Sequence, residues 1–222
     1  MKFRRKAADS IDESVDPAGE RDETLDAAAE PSADEPVSAT PEAGPFDAED
    51  LDDVDGRIDL GALVLLPVPG TELQLQVDEA SGNVQSVMFT GPEGALELRV
   101  FAAPRHGDLW SEVRPQIAAD LGRRGGTATE REGRFGTELV CQMPVTLPDG
   151  KSAMQPSRVI GINGTRWLLR ATLLGRPAVE PETGAEFEEA LNTVAVRRGA
   201  QAMPVGDPLA LTLPPDARPT GG

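Results

Sequence analysis

The run RVIGINGTRWLLRATLLGR, from Arg158 to Arg176, constrains the fold more than any other stretch of the chain. Two apolar segments of strand length flank Asn163-Gly164, the residue pair best suited to a two-residue hairpin turn, because both central positions of that turn need left-handed backbone. A turn there sets Ile162 opposite Thr165, Ile160 opposite Trp167 and Arg158 opposite Leu169. Alternation then places Trp167, Leu169, Ala171 and Leu173 on one face, with Arg166, Leu168 and Arg170 on the other. Trp167 is expected to be buried on the face of the sheet that carries helices. Four arginines inside so apolar a hairpin need a physical account.

Period-two patterning recurs before and after it. The segment Leu60 to Val68 ends at the turn signal Pro69-Gly70. Leu73, Leu75 and Val77 alternate with Gln74 and Gln76, Ser81-Gly82-Asn83 turns the chain into NVQSVMFTG, and Pro92-Glu93-Gly94 turns that into ALELRVFAA. These spacings predict a meander of antiparallel strands. The period then changes. In GDLWSEVRPQIAADLGRRGG the residues Trp110, Val113, Ile117 and Leu121 form one helical stripe. Asp108 is suited to cap its start, Gly125 or Gly126 to end it, and Arg123 and Arg124 to sit at the negative end of its dipole. Pro115 predicts a kink or a separate first turn. GTELVCQMPV returns to period two, with Leu139, Cys141, Met143 and Val145 on one face, and Pro148-Asp149-Gly150 follows as a turn. Thr183 and Glu186 have the spacing of a capping box ahead of Phe187, Ala190 and Leu191, and Val194 and Val196 suggest a last strand. Four strands, helix, three strands, helix and strand make an antiparallel β-sheet with helices packed on it, the α+β class.

The formal net charge of the 222-residue chain is -17, and it is unevenly spread. Residues 1–55 hold 5 Lys and Arg against 18 Asp and Glu, and the remainder holds 16 against 20. Apolar residues in that first quarter are mostly Ala without periodicity, so it cannot bury enough surface to repay an ordering cost of about 1 to 2 kcal/mol per residue. It is expected to be a disordered acidic arm with a short basic start. Residues 199–222, rich in Pro, Ala and Gly, are expected to be a mobile tail. A single domain is left over 56–198, a size that buries roughly 68 % of its unfolded surface. MKFRRK is followed by AADSIDESVD and not by an apolar run, so no secretory leader is expected. With a single cysteine, Cys141, no internal disulfide can form. Both features point to the cytoplasm, with no membrane insertion.

The Asn-Gly-Thr-Arg-Trp-Leu-Leu-Arg hairpin, the Asp-Leu-Trp-Ser-Glu-Val-Arg helix ahead of a Gly-Gly pair, the Gly-Arg-Phe-Gly-Thr-Glu-Leu-Val strand and the basic-then-acidic amino-terminal arm together resemble the DUF3710 family of uncharacterised actinobacterial proteins. That resemblance covers 56–198 and implies no activity, cofactor or catalytic residue. More loosely, the succession of elements is similar to the α/β/α sandwich of the Mog1 and PsbP type, which implies a binding or accessory protein and does not by itself license a function.

Familiar chemistry is sparse. Gly150-Lys151-Ser152 has the tail of a phosphate-binding loop, but Val145 stands where its first glycine belongs, and the context is a hairpin. His106 is the single histidine, so neither a zinc site nor a Ser-His-Asp triad has its usual residues, and a plain loop position is the expectation. Cys141, between inward-facing Leu139 and Met143, is expected to be a small buried hydrophobe. The acid pairs Glu130 with Glu132, and Glu186 with Glu188 and Glu189, are expected on solvated faces. No catalytic residue, cofactor site or metal site is assigned. The candidate anion- or partner-binding face consists of Arg166, Arg170, Arg123 and Arg124. Its ordinary reading is long stems covering apolar surface with the heads in water; the sharper one is a guanidinium face for carboxylate or phosphate. Two functional readings follow. One is a non-enzymatic binding or accessory module that docks a protein partner, with the acidic arm tuning the encounter. The other is a phosphate- or nucleic-acid-associated factor, or an enzyme, that uses the arginine face. With two Trp, six Phe, no Tyr and an acidic balance, nucleic acid is the disfavoured partner.

Overall fold

The computed structural model describes residues 44–213 apart from 52 and 79–81. The chain enters on β1 (Phe46–Asp47), a 3-10 turn, β2 (Ile58–Asp59) and β3 (Leu63–Leu65). It continues through β4 (Glu72–Val77), β5 (Val84–Thr90) and β6 (Gly94–Ala102) into the helix α1 (Leu109–Arg123). Four strands follow: β7 (Thr127–Gly133), β8 (Gly136–Thr146), β9 (Ser152–Gly164) and β10 (Trp167–Gly175). The helix α2 (Pro181–Leu191) and β11 (Ala195–Val196) close the order. Seven strands form an antiparallel sheet in the order β4-β5-β6-β10-β9-β8-β7, and β1-β11-β3-β2 form a small second sheet. The fold is α+β.

Two apolar clusters lie on opposite faces of the large sheet. On one face Trp167, Leu169, Ala171 and Leu173 of β10 pack with Leu96, Leu98 and Val100 of β6, Phe187 and Leu191 of α2 and the small sheet. On the other, Leu168, Leu139, Cys141 and Val159 meet Leu109 and Trp110 of α1. Trp167, 2 % exposed, is buried as expected on the α2 side. Its indole N–H donates to Asp47.

The hairpin closes two residues later than the Asn-Gly signal predicts. Gly164 pairs with Trp167, Ile162 with Leu169, Ile160 with Ala171 and Arg158 with Leu173, so Thr165-Arg166 is the turn. Arg166 takes the left-handed backbone there, at φ 64°. Asn163 and Gly164 serve tertiary contacts instead. The Asn163 amide donates to Asp108 at 2.7 Å and its carbonyl oxygen accepts from the Trp110 backbone N–H at 3.2 Å, fastening the start of α1 to the sheet. A side chain at Gly164 would land on the Trp167 indole. Sliding by an even number of residues leaves each side chain on its expected face.

Other expectations are corrected by packing. β7 went unseen in TATEREG because it is an edge strand with Ala128 alone packed inward. The segment Leu60 to Val68 contributes β3 to the small sheet, not to the large one. α2 starts at Pro181 with Glu180 as the flanking residue, and Thr183 donates to the Glu180 carbonyl instead of capping. α1 runs unbroken through Pro115, with Asp108 accepting from the Ser111 backbone N–H at 3.0 Å. The folded unit also reaches past 56–198 at both ends. Phe46 pairs with Ala195. Leu209 and Leu211 are 4 % and 8 % exposed, and the Leu209 N–H donates to the Val100 carbonyl at 2.9 Å. Residues 1–43 and 214–222, which share the expectation of disorder, lie outside the described residues.

Trp167→Ala should lower stability by about 3 to 5 kcal/mol, the range for a core aromatic, measured by urea unfolding. Leu209→Ala should cost about 2 to 5 kcal/mol in the same assay. A mobile tail would instead leave it within about 0.5 kcal/mol of the parent.

Candidate functional site

The site forms because α1 sits on the sheet more tightly at its start than along its length. Trp110 is held flat on Gly161, where any Cβ would strike the indole, and its ring N–H donates to the Thr137 carbonyl at 2.6 Å. Arg114 lies over the same ring at 5.9 Å and pairs with Glu130 at 2.9 Å. Farther along the stripe Val113, Ile117 and Leu121 are only half-buried. Between them and strands β6, β9 and β10 lies a cavity of about 660 Å³. Its walls are mainly apolar, from Phe101, Leu109, Val113, Ile117, Leu121 and Leu168.

Three of the four sequence-selected arginines converge on this cavity: Arg170 from the sheet, Arg123 and Arg124 from the end of α1. Arg123 pairs with Asp120 at 2.7 Å and is well exposed. Arg124 closes the helix with its backbone N–H, and its guanidinium has no partner among the described residues. Arg170 is different in kind. It stands directly opposite Arg99 in the β6–β10 register, and its guanidinium carbon lies 5.2 Å from the Phe101 ring centre. Burial, and then the Arg99 charge, push its pKa below the ordinary arginine value. Glu97, whose charge acts on Arg170, is taken by Arg99 at 2.8 Å. Arg170 Nε is buried without an acceptor.

Arg166 is not part of this group. As the turn residue it lines a separate cavity of about 250 Å³ with Asp47, Glu49, Asp50 and Arg198, and its Nη2 donates to the Gly199 carbonyl at 3.4 Å. Arg158, on the opposite face, belongs to a buried ion network. It faces Glu138 at 3.6 Å and pairs with Glu188, while Arg131 donates to Glu138 at 2.5 Å. That network ties β7, β8 and β9 to α2. Arg176 pairs with Glu180 at 2.7 Å and with Glu93.

Sequence reasoning missed Arg99 and Glu97, whose places beside Arg170 depend on β6 being the neighbour of β10. Period-two alternation puts both opposite Leu96, Leu98 and Val100, a visible signal, but pairing across a gap of some 70 residues is not visible. His106 is exposed in the loop before α1. Cys141 is fully buried, and burial raises its thiol pKa. Among the described residues no three His, Cys, Asp or Glu side chains gather where they could hold a metal. Nor is any described helix long and apolar enough to cross a membrane. Asp120 is the one carboxylate on the cavity lining, and Arg123 engages it.

An α+β domain with an arginine-bearing cavity under its first helix is thus the class of protein at hand. The model of the family described as "Protein of unknown function (DUF3710)" matches residues 44–220, and the chain belongs to that family. No curated protein matches it. Among solved structures it is similar to the solution structure of cyanobacterial PsbP (CyanoP) from Synechocystis sp. PCC 6803, at 12 % identity over 63 % of this chain and 91 % of that one, with a TM-score of 0.37. A likeness that coarse brings no function with it.

The cap on α1 titrates. Hydrogen bonds from the Ser111 side chain and backbone, and then from Asn163, hold the Asp108 carboxyl below the usual carboxylate value. Its stabilisation is therefore complete above the unfolded pKa of about 3.9 and is lost as pH falls through the lower folded value. Asp108→Ala should cost about 1 kcal/mol at pH 7, and its difference from the parent should shrink below about pH 4. Urea midpoints at pH 7 and pH 3 test both statements.

Proposed function

We propose that the protein is a non-enzymatic binding module of the cytoplasm that docks a protein partner over the second half of α1. The observation that carries this reading is the half-buried stripe of Val113, Ile117 and Leu121 beside two arginines, one of which, Arg124, has no carboxylate partner among the described residues. Apolar surface with a cationic rim matches a partner that presents apolar and acidic side chains together. Rim charges of this kind speed encounter more than they tighten the complex. The cavity lining offers neither histidine nor cysteine, and its one carboxylate, Asp120, is engaged by Arg123. The acidic arm tunes the encounter in this scheme. Residues 1–43 carry 12 Asp and Glu against 5 Lys and Arg, and a tethered segment reaches an effective concentration on the order of millimolar. A weak, salt-sensitive competitor for the same rim results.

The full-length protein and an Arg123→Glu/Arg124→Glu variant should be used in parallel to capture partners from native lysate, and hydrogen exchange should then be followed on the purified complex. The expected result is a stoichiometric protein that slows exchange over residues 113–124 and binds the variant at least about tenfold more slowly at low salt. A partner that protects other residues, or that binds the variant at the parental rate, would overturn the reading.

A further inference from the structure

Arg170, inside the same cavity, belongs to an imbalance that a protein partner at the rim does not explain. β6 and β10 place two guanidiniums directly opposite one another, Arg99 and Arg170, and supply them with a single carboxylate, Glu97. Arg99 holds that carboxylate through both Nε, at 2.9 Å, and Nη2, at 2.8 Å. Arg170 is left with a ring face, Phe101, and a buried Nε that has no acceptor. A half-buried cation without a counter-charge is costly unless something pairs with it. On the α2 side of the same sheet Arg158, whose Nε likewise has no hydrogen-bond acceptor, does have carboxylates for its charge, Glu138 and Glu188. On the α1 side the chain supplies no such partner among the described residues, and the space beside Arg170 is open.

That space has the character of a ligand site. Its volume of about 660 Å³ lies within the roughly 300 to 1,000 Å³ of small-molecule pockets, which are mostly apolar with a few placed polar groups. Thr172, two residues along β10 from Arg170, and Ser157 on β9 add hydroxyl donors to the lining, and the rest of the wall facing Arg170 is mainly hydrocarbon. A guanidinium fork fits a carboxylate with two parallel hydrogen bonds. We infer that the cavity binds an amphipathic carboxylate, a monoanion whose head group pairs with Arg170 and whose apolar body lies between α1 and the sheet. The inference goes beyond the docking of a protein at the rim and does not require it. A bare phosphate would leave the apolar walls unfilled, and an uncharged hydrocarbon would leave Arg170 unpaired.

Decanoate, decanol and decyl phosphate, each below its micelle concentration, serve as probes for calorimetric titration of the full-length protein. Decanoate should bind at least about tenfold more tightly than decanol, the margin that a charge-assisted hydrogen bond confers. In Arg170→Met, which keeps an unbranched apolar stem in place, that preference should vanish while decanol affinity is retained. The Arg170 Nε–H resonance of the parent protein provides a readout that needs no variant, and decanoate should move it while decanol should not. Equal affinity for decanoate and decanol, an Nε–H signal that decanoate leaves in place, or a tenfold preference for decyl phosphate would each overturn the assignment. The preference for decanoate over decanol is read on the protein alone, with no protein partner present, so failure of the interior site and failure of docking at the rim are told apart.

Discussion

Nine consecutive pairings join β6 to β10, from Trp167 opposite Ala102 to Gly175 opposite Gly94. They place Leu169, Ala171 and Leu173 against Val100, Leu98 and Leu96, a ladder of cross-strand apolar pairs at the centre of the sheet. The α2 helix and the small sheet have a core to cover only because that face is continuous. The same register dictates the other face. Once Leu169 is set opposite Val100, Arg170 must stand opposite Arg99 and Leu168 opposite Phe101. The apolar core and the charged cavity floor are two consequences of one strand pairing.

The two faces handle charge differently. Under α2, Arg131, Glu138, Arg158 and Glu188 balance one another's charge across three strands and a helix. Removing one member of such a network leaves its partner buried and unpaired, which is why the intact set holds the elements in place. Under α1, Glu97 neutralises only one of two facing arginines. The helix above them is anchored at its start, through Trp110 on Gly161 and Asn163 on Asp108, so its later turns can stand over open space without being lost from the fold. Tight anchoring at one end goes with a cavity along the rest.

Several sequence signals were strong but spent on different tasks from those expected. Asn163-Gly164 is a hairpin dipeptide by local chemistry. Here Asn163 bonds to Asp108 and Trp110, Gly164 makes room for Trp167, and the turn passes to Thr165-Arg166. Thr183 and Glu186 mimic a capping box, yet Pro181 begins the helix, since its fixed φ suits a first helical position. β7 carries too few inward apolar residues to announce itself. Leu209 and Leu211 sit in a Pro- and Ala-rich stretch whose composition reads as tail, and they fill gaps between β3, β5 and β6 that only the assembled sheets create.

The α+β class, the stripe of α1, the inward faces of β6, β8 and β10 and the burial of Trp167 were determined by the sequence alone, because each follows from the 2.0- or 3.6-residue period of neighbouring side chains. That Arg123, Arg124 and Arg170 belong together, and that Arg166 does not, was decided only by tertiary structure. Periodicity assigns a side chain to a face of its own element and says nothing about which element lies alongside. The neighbourhood of β6 and β10 is a matter of pairing between segments some 70 residues apart. That pairing set Arg99 against Arg170 and left Arg170 without a carboxylate among the described residues.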